Sequence, residues 1–241
     1  QTCALPIYLN IETMPIMNSD INSLNLDIIN KYFENKGILV NNENRLEFMD
    51  NAGITFIERD YNKRVVTLGG LLVFSSINSI YLPHNMIRIV NKVNDKFDEV
   101  ILVQGNLLDM LDRVEEFLKK IFPFNYPIIA VHEAVKNAIL YRDYTIFYKE
   151  IEIVVNYNSV SVISPGNLLF STEVNTHNYL KRNMWIYDKL IALDDKKRFI
   201  KSGKGFARMK KNFIKFGKVI FVDSKDDNTF KAIFPGVKHF I

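Results

Sequence analysis

Cysteine is nearly absent from this sequence. Cys3 is the single cysteine among 241 residues, which excludes an intramolecular disulfide and any metal cluster held by several thiolates. The four histidines, His84, His132, His177 and His239, are scattered along the chain, and no two of them have the spacing of metal ligands. So little cysteine fits the reducing cytoplasm, and we expect a cytoplasmic protein.

Long apolar runs are missing too. No stretch approaches the ~20 apolar residues that a membrane-spanning helix needs, so no membrane partner is expected. The first ten residues, QTCALPIYLN, contain no Met and lack the basic and apolar regions of a signal peptide. We therefore expect the chain to be a fragment or a trimmed form of a longer protein.

Three common site signatures are absent: the Walker A loop, the Rossmann glycine fingerprint and the Ser nucleophile elbow. Without a Walker A loop, helicase activity is not expected. The composition itself is ordinary for a soluble globular protein, with 48% apolar and 24% charged residues and with 18 Phe and 11 Tyr. It predicts an aromatic-rich core in one or two domains.

Charge is unevenly distributed along the chain. The net charge is +4, but residues 181–218 contain 13 Lys and Arg against three Asp, a local net of +10, which leaves −6 for the rest. Such a basic segment favours phosphate groups, either of a nucleotide or of a nucleic acid. A solvated helix face is the alternative, and the sequence leaves both open.

Residues 1–65 are predicted to form a small first part. Residues 11–22 are polar and turn-rich, which is typical of a linker. Apolar periodicity then predicts helices over 24–38 and 42–54, and alternation predicts a hairpin over 55–68. Two helices followed by a hairpin resemble a winged helix.

Residues 66–241 are predicted to form a larger α+β domain. The periodicities predict strands at 86–93 and 98–105, a helix at 106–122, a helix from about 128, a hairpin at 150–164, a helix at 184–193, a glycine-led helix at 203–217, and strands at 218–224 and 229–236. This order favours a sandwich in which helices cover one face of a mixed, largely antiparallel sheet.

The stretch HEAVKNAILYRDY at 132–144 begins like the zinc-hydrolase motif H-E-x-x-H, which needs two histidines four residues apart. Lys136 stands in the place of the second histidine, and an ammonium group has no lone pair for zinc. We therefore reject a zinc site here. Arg142 and Asp143, near the end of this stretch, are interpreted as an ion pair at the helix end or as a contact that positions the next loop.

Glu133 and Asn137 lie four residues apart and so project from one face of the same helix. A carboxylate can orient a water molecule as a general base, and an amide oxygen can bind Mg²⁺. The alternative is a surface carboxylate beside a helix-end cap, which a bare E-x-x-x-N pattern does not exclude.

Two glycine turns follow this helix. SPG at 164–166 ends the first hairpin, and GKG at 203–205 stands directly before a helix, whose N–H groups favour an anion by about 0.3–2 kcal/mol. Between them lies a segment long enough to form a lid. This order of parts resembles the Bergerat nucleotide fold of the gyrase, histidine-kinase and MutL superfamily.

Several blocks are similar to one branch of that superfamily. EAVKNAILYRDY, ISPGNL and GKGFARMKK resemble its E-A-l-x-N-A-l-x-H-R-D-Y, I-x-N/S-P-G-G-L and G-S-G-I-x-R-M blocks, and VVTLGGLLVFSS, VQGNLLDMLDRVEEFL and RNMWIYDKL resemble further blocks in the same order. The branch is the HATPase-like, RecG-like C-terminal region of transcriptional regulators, and the resemblance covers about residues 25–235. Full-length members carry a Schlafen-type AlbA_2 domain before this region, which we do not expect within this chain.

The resemblance implies ATP and Mg²⁺ as cofactors and a site made of eight residues: Glu133, Asn137, Ser164, Gly166, Gly203, Lys204, Gly205 and Arg208. Glu133 would be the water-orienting base and Asn137 the Mg²⁺ ligand. Ser164 and Gly166 would lie near the base or sugar. Gly203 and Gly205 would present backbone amides to the phosphates, with Lys204 and Arg208 as charge partners.

The sequence departs from the pattern at four positions. Ser164 stands where the wider superfamily has the Asp that reads adenine, and Tyr141 replaces the branch's His. Asn167 replaces a second Gly and Met184 replaces a Pro. Catalysis is therefore less firmly implied than the fold.

Three hypotheses remain open from the sequence. In the first, the chain is part of a transcriptional regulator and binds ATP with Mg²⁺, with a slow ATPase activity and with effects on DNA binding or dimerisation. In the second, the same fold is a degenerate scaffold whose 181–218 face binds nucleic acid or protein. In the third, it is a dimerisation module. DNA, through an AlbA_2 domain or through that basic face, and a homo-oligomer are the expected partners.

Overall fold

The computed structural model of the chain describes residues 10–58, 62–93, 99–169, 182–200 and 204–240. Within these ranges the chain forms helices and a mixed six-stranded sheet, so the α+β class predicted from the sequence is confirmed. Within the same ranges, no helix combines the length and the apolarity that crossing a bilayer requires.

Helix α4 shows how apolar periodicity sets the helix positions. Leu107, Leu111, Val114 and Leu118 recur every three or four residues and are all buried. The Asn106 side chain accepts hydrogen bonds from two backbone N–H groups of the first turn and so caps the helix. The described α-helices are α1 (Leu26–Asn35), α2 (Arg45–Asn51), α3 (Leu68–Phe74), α4 (Leu107–Ile121), α5 (Ile128–Tyr141), α6 (Met184–Leu193) and α7 (Gly205–Asn212).

The described strands fall into two sheets. They are β1 (Pro15–Ile16), β2 (Thr55–Glu58), β3 (Lys63–Thr67), β4 (Met86–Asn91), β5 (Glu99–Gln104), β6 (Ile151–Val155), β7 (Ser159–Pro165), β8 (Ile220–Ser224) and β9 (Thr229–Pro235). The larger sheet has the order β5-β4-β6-β7-β9-β8. Only β4 and β6 pair in parallel, and the other neighbours are antiparallel. The predicted β6–β7 and β8–β9 hairpins are therefore confirmed.

Alternating burial gives the large sheet two different faces. In β6, Ile151, Ile153 and Val155 are buried and the residues between them are half-buried. Ser164 of β7, on the same side as these residues, donates to the backbone oxygen of Ala138 in α5 at 3.2 Å. We call this side, on which α4 and α5 also pack, the helix face, and the opposite side the outer face.

The predicted linker at 11–22 is wrong. The segment contains β1, which pairs with β3 in the small sheet of order β1-β3-β2. Glu12 is only 4% exposed, and its carboxylate accepts hydrogen bonds from the backbone N–H groups of Trp185 and Ile186 at 3.2 and 2.7 Å. The polar sequence of this segment thus serves to cap the start of α6.

The predicted boundary between residues 65 and 66 falls inside β3. One cluster of buried apolar side chains runs from Leu24 to Phe240 and includes members of both predicted parts. The rings of Tyr32 in α1 and Phe74 in α3 meet edge to face at 5.6 Å across this boundary. The first part and the larger sheet domain therefore share a hydrophobic core.

Two helices differ from the predictions. Helix α3, whose seven residues are all buried, was not predicted. Helix α7 ends at Asn212, well before the predicted end at 217. Phe213, the next residue, is fully buried, and this anchor fixes the C-terminal end of α7.

Candidate functional site

Helix α5 positions the candidate carboxylate and amide. It begins after Pro127, whose missing N–H costs nothing at a helix start. Ala130, Ala134 and Ala138 are buried along it, and these small side chains let α5 lie close to its neighbours. Glu133 and Asn137 project beside this buried stripe and are both half-buried.

The start of α7 lies against both of these side chains. A Cβ placed on Gly205 would lie 2.8 Å from Glu133 Oε1 and 3.4 Å from Asn137 Nδ2. A separation of 2.8 Å is shorter than an ordinary van der Waals contact, so only glycine fits here without displacing the Glu133 carboxylate. The fold brings Gly205 next to two residues that lie 68 and 72 positions earlier in the sequence.

Two cations hold the Glu133 carboxylate. Lys136 Nζ lies 2.7 Å from Oε2, and Arg208 Nη2 lies 2.8 Å from Oε1. Lys136 also donates to the backbone oxygen of Arg198 at 3.1 Å. Its side chain is 8% exposed and that of Glu133 is 16% exposed, so this contact is shielded from solvent and stronger than a surface ion pair.

The glycine turn before α7 is only partly described. Gly203 lies outside the described residues. Lys204 is the residue before the first helical residue and is exposed. Arg208 lies on the first turn of α7 and reaches back to Glu133. Of the predicted phosphate-side residues, Gly205 and Arg208 therefore lie against Glu133.

Ser164 and Gly166 have structural partners of their own. The Ser164 hydroxyl donates to the Ala138 backbone oxygen. Gly166 has a φ of +97°, and a Cβ there would lie 2.6 Å from the Cβ of Asp143 and 3.0 Å from its backbone nitrogen. The close contact with Asp143 therefore accounts for a glycine at position 166 without any bound ligand.

Of the two predictions for Arg142 and Asp143, the ion pair is wrong, and the contact that positions the next loop is confirmed. Asp143 instead pairs with Arg182, whose Nη1 lies 2.5 Å from Oδ2. Arg142 is fully buried, and its Nη2 donates to the backbone oxygens of Ile146 and Lys149 at 3.2 and 2.7 Å. It anchors the loop after α5, whereas its Nε and Nη1 have no hydrogen-bond partner among the described residues.

His84 lies in the field of this buried guanidinium. Burial, and secondarily the charge of Arg142, lower the pKa of His84 to about 4. Because the folded pKa lies below the ordinary value of about 6.5, the stability contribution of neutral His84 is complete above pH 6.5. It is lost as the pH falls from 6.5 towards 4.

Replacing His84 by Gln is therefore expected to flatten the acid limb of the stability profile. The wild-type free energy of unfolding should fall between pH 6.5 and pH 4 by at most about 1.4 kcal/mol per pH unit from this group. Urea unfolding at pH 7 and pH 5 measures the difference. Identical pH dependence in the wild type and the His84→Gln variant would contradict this assignment.

The basic segment at 181–218 is not one open cationic face. Five of its described cations contact carboxylates: Arg182, Lys189, Lys196, Arg198 and Arg208. Their partners are Asp and Glu residues on α4, α5, α6 and the adjoining loops, so much of the local net charge is neutralised within the fold.

Sequence reasoning missed two contributors to this region. Lys136 entered only as the residue that excludes zinc, although its spacing of three from Glu133 is that of a helical ion pair. Asp143 and Arg182 are 39 residues apart and carry no local signal.

Comparison with known proteins adds a fold similarity. No protein-family model and no curated protein matches this chain. The crystal structure of the DIP2311 protein from Corynebacterium diphtheriae is similar, with a TM-score of 0.59 and 17% sequence identity over 94% of this chain. The matched region is 40% of that protein, so this chain spans less than half its length. At such low identity the similarity concerns the fold alone.

Proposed function

We propose that this chain binds a nucleotide, ATP with Mg²⁺, between α5 and the N-terminal end of α7. The observation that carries the proposal is the position of Gly205. It brings the first turn of α7 against Glu133 and Asn137. The N–H groups of a first helical turn have no intrahelical acceptors and favour a phosphate.

Each side chain fits a separate part of such a ligand. The Asn137 amide oxygen would serve as one ligand of Mg²⁺, a cation that prefers oxygen donors and keeps several waters. The described residues contain no group of three His, Cys, Asp or Glu side chains suited to a metal. Phosphate and water would therefore supply most of the coordination shell.

Arg208 gives the site a way to respond to phosphate. In the structure its guanidinium is bound to Glu133, and phosphate is a strong alternative partner for arginine. Transfer of Arg208 to phosphate would leave Glu133 with Lys136 alone. A carboxylate held by one cation instead of two is a better acceptor for a water proton, which is the role that slow ATP hydrolysis requires.

The wider assignment rests on the order of parts. A Glu/Asn helix, a glycine turn and a glycine-led helix on a mixed sheet support a Bergerat-type fold. Helices α1 and α2 beside the β1-β3-β2 sheet support a winged-helix-like first part. With the motif resemblance, these features favour a regulator in which nucleotide binding modulates DNA binding or dimerisation.

Asn137→Ala is expected to weaken the response to Mg-ATP. A bound ligand at one hundred times its Kd stabilises by about 2.7 kcal/mol, and this should raise the wild-type Tm by about 5–11 °C. The variant should lose most of that rise because one Mg²⁺ ligand is gone. Thermal unfolding with and without ATP, ADP and Mg²⁺ measures it.

Asn35→Ala is the matched control. Asn35 is an exposed amide at the end of α1, and its Nδ2 donates a hydrogen bond to the backbone oxygen of Ala192 at 2.7 Å. It should leave the Mg-ATP response unchanged. A wild-type Tm that does not respond to any of the nucleotides would contradict the proposal and favour the scaffold alternative, whose binding to DNA should fall steeply with salt.

A further inference from the structure

Strand β5 forms one edge of the large sheet, and the backbone on its free edge pairs with no strand of the described ranges. Its sequence, EVILVQ, contains four consecutive β-forming apolar residues. Val100 and Leu102 point to the outer face and are 48% and 52% exposed. Such an edge offers a row of backbone N–H and C=O groups to another strand.

The opposite edge, β8, carries the features that discourage pairing. Strand β8 is likewise an edge strand of the six-stranded sheet, but Asp223 and Ser224 interrupt its apolar run. The Asp223 carboxylate accepts a hydrogen bond from the backbone N–H of Leu168 at 3.1 Å, so the segment after β7 contacts this strand on the helix face. Charged residues and covering segments are how sheets protect their edges, and residues 100–103 have no charge of their own.

We propose that β5 pairs antiparallel with β5 of a second copy of this chain, so that two six-stranded sheets become continuous. Side chains opposite each other in an antiparallel pair lie on the same face. Residues on one face of a strand are an even number of positions apart, so the two-fold axis must pass through a residue and not between two residues. Leu102, the most exposed apolar residue of the strand, fits that position. The two Leu102 side chains then cover each other.

The charges at the two ends of the strand agree with this register. Glu99 of one copy would lie opposite Gly105 of the other, next to Gln104. The backbone oxygen of Gln104 accepts a hydrogen bond from Arg113 Nη1 at 2.8 Å, so the exposed Arg113 guanidinium is already at that end of β5. The pairing therefore brings Glu99 to Arg113 at both ends. Exposed ion pairs contribute little affinity, but they select this register.

The first test compares two edge strands. Sedimentation velocity is expected to show a dimer of the wild-type chain that Leu102→Glu converts to monomer, because two carboxylates would meet on the axis. Ile220→Glu, on the outer face of β8 and equally exposed at 52%, should remain dimeric. A monomeric wild type, or a dimer that survives Leu102→Glu, would overturn the proposal.

Two further variants keep the proposal testable if Leu102→Glu fails to fold. In a Cys3→Ser background, Leu102→Cys should form a covalent dimer on oxidation and Ile220→Cys should not. Glu99→Arg and Arg113→Glu should each weaken the dimer, and the double variant should restore it. Absence of the Leu102→Cys cross-link, or absence of restoration by the double variant, would count against β5 pairing in this register.

Discussion

Gly205→Val is expected to abolish the rise in Tm that Mg-ATP gives the wild-type protein. The valine Cβ alone would lie 2.8 Å from Glu133 Oε1, and its two methyl groups would occupy the space in front of the first turn of α7. The carboxylate can move aside, but the backbone amides of that turn would then be blocked. Thermal unfolding with saturating Mg-ATP should show a loss of the whole shift, about 5–11 °C.

Gly205→Ala is the graded control for this experiment. It introduces only the Cβ, which meets the end of a flexible side chain, so the variant should fold normally and retain part of the response. The Tm of each variant without nucleotide separates a blocked site from a damaged fold. A full Mg-ATP response in the folded Gly205→Val protein would show that the nucleotide binds elsewhere.

Phe213→Ala is expected to lower the free energy of unfolding by about 3–5 kcal/mol, the usual cost of a cavity left by a buried phenylalanine. Phe213 is 0% exposed, and its ring lies 5.4 Å from the rings of both Tyr126 and Phe234. It immediately follows α7 and joins that helix to β9 and to the loop between α4 and α5. Urea unfolding measured at equilibrium gives the difference.

Ile214→Ala is the neighbouring control. Ile214 is 80% exposed, so removing its side chain should change the free energy of unfolding by no more than about 0.5 kcal/mol. Equal losses in the two variants would contradict the assignment of Phe213 as the anchor of α7. Because this anchor holds the far end of the helix, Phe213→Ala should also weaken nucleotide binding at Gly205.

Local patterns predicted the elements of the larger sheet well. The apolar spacing in α4 and the alternation in β6 depend on neighbours in the sequence, so the helix and the strand could be recognised directly. Helix α6 and the β8–β9 hairpin followed in the same way. Their arrangement into one mixed sheet was predicted from the order of elements and is confirmed at that level.

The first part of the chain shows where local reasoning fails. Residues 11–22 look like a linker because they are polar, yet the Glu12 carboxylate caps a helix that begins 172 residues later. No residue near Glu12 in the sequence indicates that its partner is α6. Burial of a carboxylate raises the pKa of Glu12, a cost that the two backbone hydrogen bonds offset.

The residues of the candidate site could be predicted from the sequence, but the contacts between them could not. Spacing placed Glu133 and Asn137 on one turn, and the glycine before a helix identified Gly205. The sequence did not indicate that Lys136 and Arg208 would both bind Glu133. Such ion pairs depend on the distance between α5 and α7, which only the packing of the two helices determines.

The central claim is that the start of α7 and the Glu133–Asn137 turn of α5 together bind Mg-ATP. Isothermal titration calorimetry of the wild-type chain with ATP tests it most directly, first with Mg²⁺ and then with EDTA. We expect saturable binding of one nucleotide per chain that weakens when Mg²⁺ is removed. No binding at millimolar ATP with Mg²⁺ present, by a chain that is folded in the same buffer, would contradict the account.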